Sequence, residues 1–129
     1  MWADRFEPSD LAVHVKVTLS GPITRREARF IVDTGSQHTI VDPVVTDELG
    51  YGAHMGTRVV RYHGSAGEIT GYKLAVQRIE AMGLVVEGFE VTCEDLHPEL
   101  GIAGLIGMDF LRGHVLTVDC IDGRVTLAP

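Results

Sequence analysis

From Leu11 to Leu19 the chain reads LAVHVKVTL, with an apolar residue at every odd position. Successive side chains of a strand point to opposite faces, so this alternation predicts a half-buried β-strand. SGP then turns the chain, and ARFIVD predicts a second strand, buried on both faces near its end. HTIV reads as a third, short strand. DPVVTDELG predicts a small helix in which Asp42 caps, Pro43 takes the first helical position and Gly50 terminates.

TRVVRYH and EITGYKLAVQRIE predict two strands joined by GSAG, a hairpin with glycines on both sides of its tip. LVVEGFEVTC is a further strand, DLHPELG a polar loop, and IAGLIG a buried strand punctuated by glycine. MDFLRG is long enough for one or two helical turns. HVLTVD and RVTLAP predict a closing hairpin around Asp122-Gly123, a strong turn signal. Short strands, frequent turns and one or two short helices define an all-β class, a small closed β-barrel or sandwich. No fixed-period repeat or low-complexity linker divides the chain, so residues 1–129 are predicted to be one domain. The first ten residues, MWADRFEPSD, are expected to be a loose N-terminal segment.

The 129 residues are 45% hydrophobic and 22% charged, a globular balance rather than a disordered one. Eighteen acids against eleven bases give a formal charge of −7, the opposite of a nucleic-acid binder's basic footprint. Neither a signal-peptide core nor an apolar run of membrane length is present, which predicts a cytoplasmic protein without a membrane partner, or a domain of a longer one. Cys93 and Cys120 stand apart without a CxxC partner, and the six histidines are scattered. Buried thiols are expected, with no metal and no cofactor.

FIVDTGSQHTIV, residues 30–41, drives an apolar run into Asp33 and then into three small residues. Asp-Thr-Gly is good turn chemistry, because aspartate bonds its own backbone two residues on. A carboxylate at the end of a buried strand is equally a reactive group. A bare D-T-G is a weak signal, and its company decides.

Three ordered pieces give that company. IVDTGS resembles the catalytic loop of aspartic proteases, specifically the single-lobe retropepsin-like kind. YHGSAGEITG resembles the flap hairpin that closes over substrate. GLIGMDFL resembles the strand and short helix that thread and support the catalytic loop in that family. The resemblance covers Phe30 to Leu111, and the flanking strands suit the fold.

It implies an aspartic endopeptidase in which two carboxylates share one proton across a water. The chain carries one D-T-G, so the second carboxylate would come from a second copy, with Asp33 facing its symmetry mate in a homodimer. Thr34 would bond across the two-fold, Gly35 would let the backbone turn close to substrate, and Ser36 would donate its hydroxyl to the Asp33 carboxylate, favouring its charged form. Tyr62, Gly64, Ser65, Ala66 and Gly67 would form the flap over an extended peptide, although an ordinary strand aromatic accounts for Tyr62 equally well. Leu105, Ile106 and Gly107 would support the loop. Asp109 would be structural, bonding backbone at a helix start.

The sequence departs from retroviral proteases in two ways. Gln37 and His38 replace the acidic residues after the loop, and Met108 replaces the arginine that pairs with one of them. The chain also continues into HVLTVDCIDGRVTLAP, a terminal hairpin closer to bacterial and cellular single-lobe members. The alternative is a catalytically silent peptide-binding or dimerisation module on the same fold, which the intact D-T-G-S disfavours.

Overall fold

The computed structural model describes residues 2–64 and 67–129. In chain order its elements are β1 (Trp2–Arg5), β2 (His14–Ser20), β3 (Arg25–Val32), β4 (Ile40–Val41), α1 (Pro43–Glu48) and β5 (Arg58–Gly64). They continue with β6 (Gly67–Ala81), β7 (Leu84–Cys93), β8 (Gly104–Ile106), α2 (Met108–Leu111), β9 (Val115–Asp119) and β10 (Arg124–Ala128). Single 3-10 turns lie at Ala53–Met55 and Pro98–Leu100, the second inside the expected polar loop.

The main sheet runs β2-β3-β8-β4-β7-β6-β5. Strand β6 also pairs back onto β2, from Val17↔Ala81 to Ser20↔Arg78, and this closes six strands into a barrel. Closure satisfies the backbone groups that an open sheet leaves at its edges. β5 stays outside the barrel and, among the described residues, pairs as a strand with β6 alone, as one arm of a hairpin.

The alternation read from LAVHVKVTL is the inside-outside register of β2. Val15, Val17 and Leu19 are buried, while Lys16 between them is exposed. They join Phe30, Val41, Leu74, Val76, Ile79, Val91 and Ile106 in one core, where each large side chain contributes about 1.5–3 kcal/mol. Phe89 and Phe110 meet edge to face, with centroids 5.6 Å apart, and tie α2 to β7. The strand itself begins at His14, with Leu11 left exposed, although the Val13 carbonyl still accepts from Val32 N–H at 2.9 Å.

The N-terminal segment departs from its expected looseness. β1 pairs antiparallel with β10, from Trp2↔Leu127 to Arg5↔Arg124, in a second sheet of order β1-β10-β9. The Phe6 N–H donates to the Gly123 carbonyl at 2.8 Å, and the Asp4 carboxylate accepts from Lys16 N–H at 2.9 Å. WADR carries no period-2 signal, since this strand is specified by the open side of β10 rather than by its own pattern. No helix among the described residues is long and apolar enough to cross a membrane.

Candidate active site

The site begins with the placement of β8. It pairs parallel with β3 (Phe30↔Gly104, Ile31↔Leu105, Val32↔Ile106) and antiparallel with β4 (Ile40↔Leu105, Val41↔Gly104). Residues 33–39 therefore form a loop whose two arms straddle β8. Leu105 and Ile106 lie between those two arms, and Gly107 follows directly after them.

Hydrogen bonds then fix the loop from within and from below. Asp33 N–H donates to the Ile106 carbonyl at 2.9 Å, and Ser36 N–H donates to the Asp33 carbonyl at 3.1 Å, closing a tight turn over Thr34 and Gly35. Gly35 N–H donates to Asp33 Oδ1 at 2.9 Å. Asp33 is thus a turn former through one oxygen, and it also lines a cleft of the molecule. The two readings of the aspartate are compatible.

The start of α2 completes the support. Met108 N–H donates to the Ser36 carbonyl at 2.8 Å and Asp109 N–H to the Gln37 carbonyl at 3.2 Å, so the loop satisfies donors that a helix N-terminus leaves open. Gly107 N–H donates to Thr39 Oγ1 at 3.1 Å, and that hydroxyl donates to Asp109 Oδ1 at 2.7 Å. A Cβ at Gly107 would lie 2.5 Å from the His38 carbonyl carbon, so glycine is required here by close approach. Asp109 is structural, but its partner is the Thr39 hydroxyl rather than the backbone.

Ser36 differs from its expected role. Its hydroxyl donates to the His38 carbonyl at 2.7 Å and not to the Asp33 carboxylate. A hydroxyl has one proton, and the carbonyl two residues on lies in the geometry that serine favours in turns. Gln37 and His38 are exposed along the loop, as is the Met108 side chain.

The cleft measures about 800 Å³. One wall is the loop from Asp33 to His38. The opposite wall is the β5–β6 hairpin, through Arg58, Val60, Arg61 and Ile69. The backbone of Tyr62 pairs with Ile69 and that of Gly64 with Gly67, next to the tip. Gly67 takes φ 122°, a conformation open to glycine alone. The expectations for Ser65 and Ala66, and for the Tyr62 side chain, fall outside the described residues.

Sequence reasoning missed the polar end of this cleft, formed by Lys73 on β6, Thr92 on β7 and the adjoining Glu94. All three are buried. Lys73 Nζ donates to Thr92 Oγ1 at 2.7 Å and lies 3.2 Å from His38 Nδ1. Neither strand's pattern marks them, since Gln77 shares the Lys73 side of β6 and Glu90 the Thr92 side of β7. Among the described residues no group of three His, Cys, Asp or Glu side chains is placed to hold a metal ion.

The arrangement is the Asp33 carboxylate on a braced turn, across a cleft of about 800 Å³ from a hairpin. A search of curated protein sequences found no match. Among solved structures, a retropepsin-like aspartic protease from Rickettsia conorii superposes with a TM-score of 0.70, covering 95% of each chain at 15% identity. At that identity the likeness speaks for the fold: a single-lobe, retropepsin-like barrel. The aspartyl protease family profile matches residues 15–110, which include the D-T-G-S loop, the hairpin, β8 and the start of α2, and the chain belongs to that family.

Proposed function

We propose that the protein is a homodimeric aspartic endopeptidase in which Asp33 from each of two copies activates one water. The observation that carries this reading is the Asp33 turn, braced by Ile106 from β8 and opening onto the cleft under the hairpin. One carboxylate of the pair, ionised, takes a proton from the water as its oxygen attacks the peptide carbonyl carbon. The other, protonated, donates to the carbonyl oxygen, giving a tetrahedral diol. The protonated carboxyl then gives its proton to the amide nitrogen while the other takes one from a diol hydroxyl, so that the C–N bond breaks, acid and amine leave, and the pair again holds one proton. Two carboxylates in contact cannot both ionise, which keeps the pair in this half-protonated state over a range of pH.

A single chain brings one D-T-G loop, and its Thr34 and Gly35 are exposed at the tip. A two-fold axis there would bring identical loops together and complete the pair. The substrate would lie extended between the loops and two hairpins.

The test is cleavage of a quenched-fluorescent peptide library by wild type, Asp33→Asn and their mixtures. Specific activity is expected to fall on dilution below the dimer dissociation constant. Asp33→Asn should bind peptide and cleave nothing. An exchanged equal mixture should show about half the activity of its wild-type content, since about a quarter of the dimers keep both aspartates. The reading is falsified if purified Asp33→Asn cleaves like wild type. Activity that resists dilution and is abolished by Glu94→Gln would instead place both carboxylates in one chain. Peptide binding without cleavage by either protein would indicate the silent module.

A further inference from the structure

We propose that the cleft recognises a carboxylate of its substrate through Lys73, so that the preferred peptide presents a negative charge at that end of the cleft. This rests on the peptide-processing reading above and names a substrate class within it.

Lys73 is only 4% exposed, yet it lines the cleft. A buried ammonium is unfavourable unless it is paired and hydrogen-bonded. Its two described hydrogen bonds go to the Thr92 hydroxyl and to the His38 imidazole, neither of which carries a negative charge. Among the described residues it belongs to no ion pair. An ammonium has three donors, so the site has capacity for one more acceptor.

The wider charge pattern points the same way. The chain carries eighteen acids and eleven bases, but the cleft is lined by Arg58, Arg61 and Lys73 against Asp33 and Glu94. An acidic protein has gathered an excess of cations in one cleft. Such clefts raise the local concentration of anionic ligand and discriminate against cationic ones. Within a peptide, the matching group is an Asp or Glu side chain or a C-terminal carboxylate. Either would reach Lys73 as a charge-assisted hydrogen bond, and the neutral amide isostere would leave that cation uncompensated.

Lys73 has a second role as a brace, since it joins the hairpin strand to His38 on the catalytic loop. A brace alone would affect all peptides alike, so the decisive quantity is a ratio. Binding is measured by fluorescence anisotropy on Asp33→Asn, which removes cleavage from the measurement. Capped, amidated peptides carry Glu or Gln at each position in turn, and a neutral peptide is compared with free and amidated C-termini.

One of these pairs is expected to show a preference for the charged member of about tenfold or more, shrinking as salt is raised. The pair that responds identifies a side chain or a terminus as the source. Lys73→Met should bring the ratio close to one, and the exposed pair Arg58→Gln/Arg61→Gln should reduce it in part without entering the core. Charged and neutral members binding within about twofold of one another in every pair, or a preference that survives Lys73→Met in folded protein, overturns the proposal. Should Lys73→Met not fold, the ratio with lysine in place and its salt dependence decide. A carboxylate preference without cleavage by wild type leaves this inference standing and removes the endopeptidase reading. Cleavage without any preference does the reverse.

Discussion

The Thr39 hydroxyl donates to the Asp109 carboxylate at 2.7 Å while accepting from Gly107 N–H at 3.1 Å. Thr39 is fully buried at the end of the Asp33 loop, and Asp109 sits in the first turn of α2. One hydroxyl therefore joins the loop to the strand-helix junction beneath it. Thr39→Val keeps the shape and removes the hydroxyl, leaving the Gly107 donor without its acceptor. A loss of about 1–3 kcal/mol is expected in urea unfolding. Turnover should fall further than stability requires, because the same bond positions the Asp33 turn. In a double-mutant cycle with Asp109→Ala, the two substitutions should be strongly non-additive. Additive losses would show that the hydroxyl does not couple the two elements.

Ser36 gives a prediction opposite to the one its sequence context suggests. Next to Asp-Thr-Gly, a hydroxyl is well placed to stabilise the carboxylate and carry the activity window toward acid. In the fold that proton is committed to the His38 carbonyl at 2.7 Å. Ser36→Ala should therefore cost about 1 kcal/mol through the loop and leave both limbs of the pH–rate profile where they are. Movement of the acidic limb toward higher pH in the alanine variant would show the hydroxyl turned onto Asp33 in the proposed dimer.

The difference between what was legible and what was not is physical. Barrel strands bury one face, so β2 carries its register in its own alternation, and β3 and β8 carry theirs in apolar runs. The helix cap at Asp42, which accepts from Val44 N–H at 2.9 Å, follows from local chemistry three residues long. Asp33 and Gly107 were named through the family resemblance, and the turn bond at one and the close approach at the other give a local reason for the residue type. β1 was not legible, since its only specification is the free side of β10, more than a hundred residues away. Lys73 and Thr92 were not legible either. Their meeting depends on the β6–β7 register, in which Lys73 faces Thr92, and nothing in either strand alone states that pairing.

Gly67 tests the hairpin. Its φ is 122°, and a Cβ there would meet nothing within 4 Å, so Gly67→Ala adds backbone strain without a clash. The cost should be about 1–2 kcal/mol, and it falls on the hairpin that walls the cleft. Gly88 on β7 is a control with φ 64°, a left-handed conformation that alanine adopts at lower cost, and equally open space. Both alanine variants should lose stability, read by thermal unfolding. Only Gly67→Ala should lose turnover by several-fold if, as proposed, the hairpin covers substrate. Equal activities in the two variants would argue that the hairpin is scaffold alone.

Burial was expected of both thiols; Cys120 is instead exposed, and the burial of Cys93 fixes the sign of a pH prediction. Cys93 is fully buried, and that burial pushes its thiol from an ordinary 9.0 up to about 11, with the Thr46 hydroxyl 4.0 Å away opposing the shift. Burial favours the neutral form, so the folded state holds this proton where the unfolded chain releases it. Cys93 therefore contributes its full stabilisation below pH 9, and the contribution declines as pH rises through about 11. The total at stake is on the order of 2–3 kcal/mol. Burial raises Tyr51 and Tyr72 as well, which adds loss of the same sign at higher pH. Unfolding free energy should be level from neutral pH to the onset of thiol ionisation and then fall steadily. Cys93→Ala should be less stable at neutral pH, from the lost packing, yet fall less steeply across the same interval. Iodoacetamide at pH 8 should modify the exposed Cys120 in folded protein and reach Cys93 only after denaturant is added. Rapid alkylation of both thiols in the native state would mean that the barrel opens at β7 far more often than its packing implies.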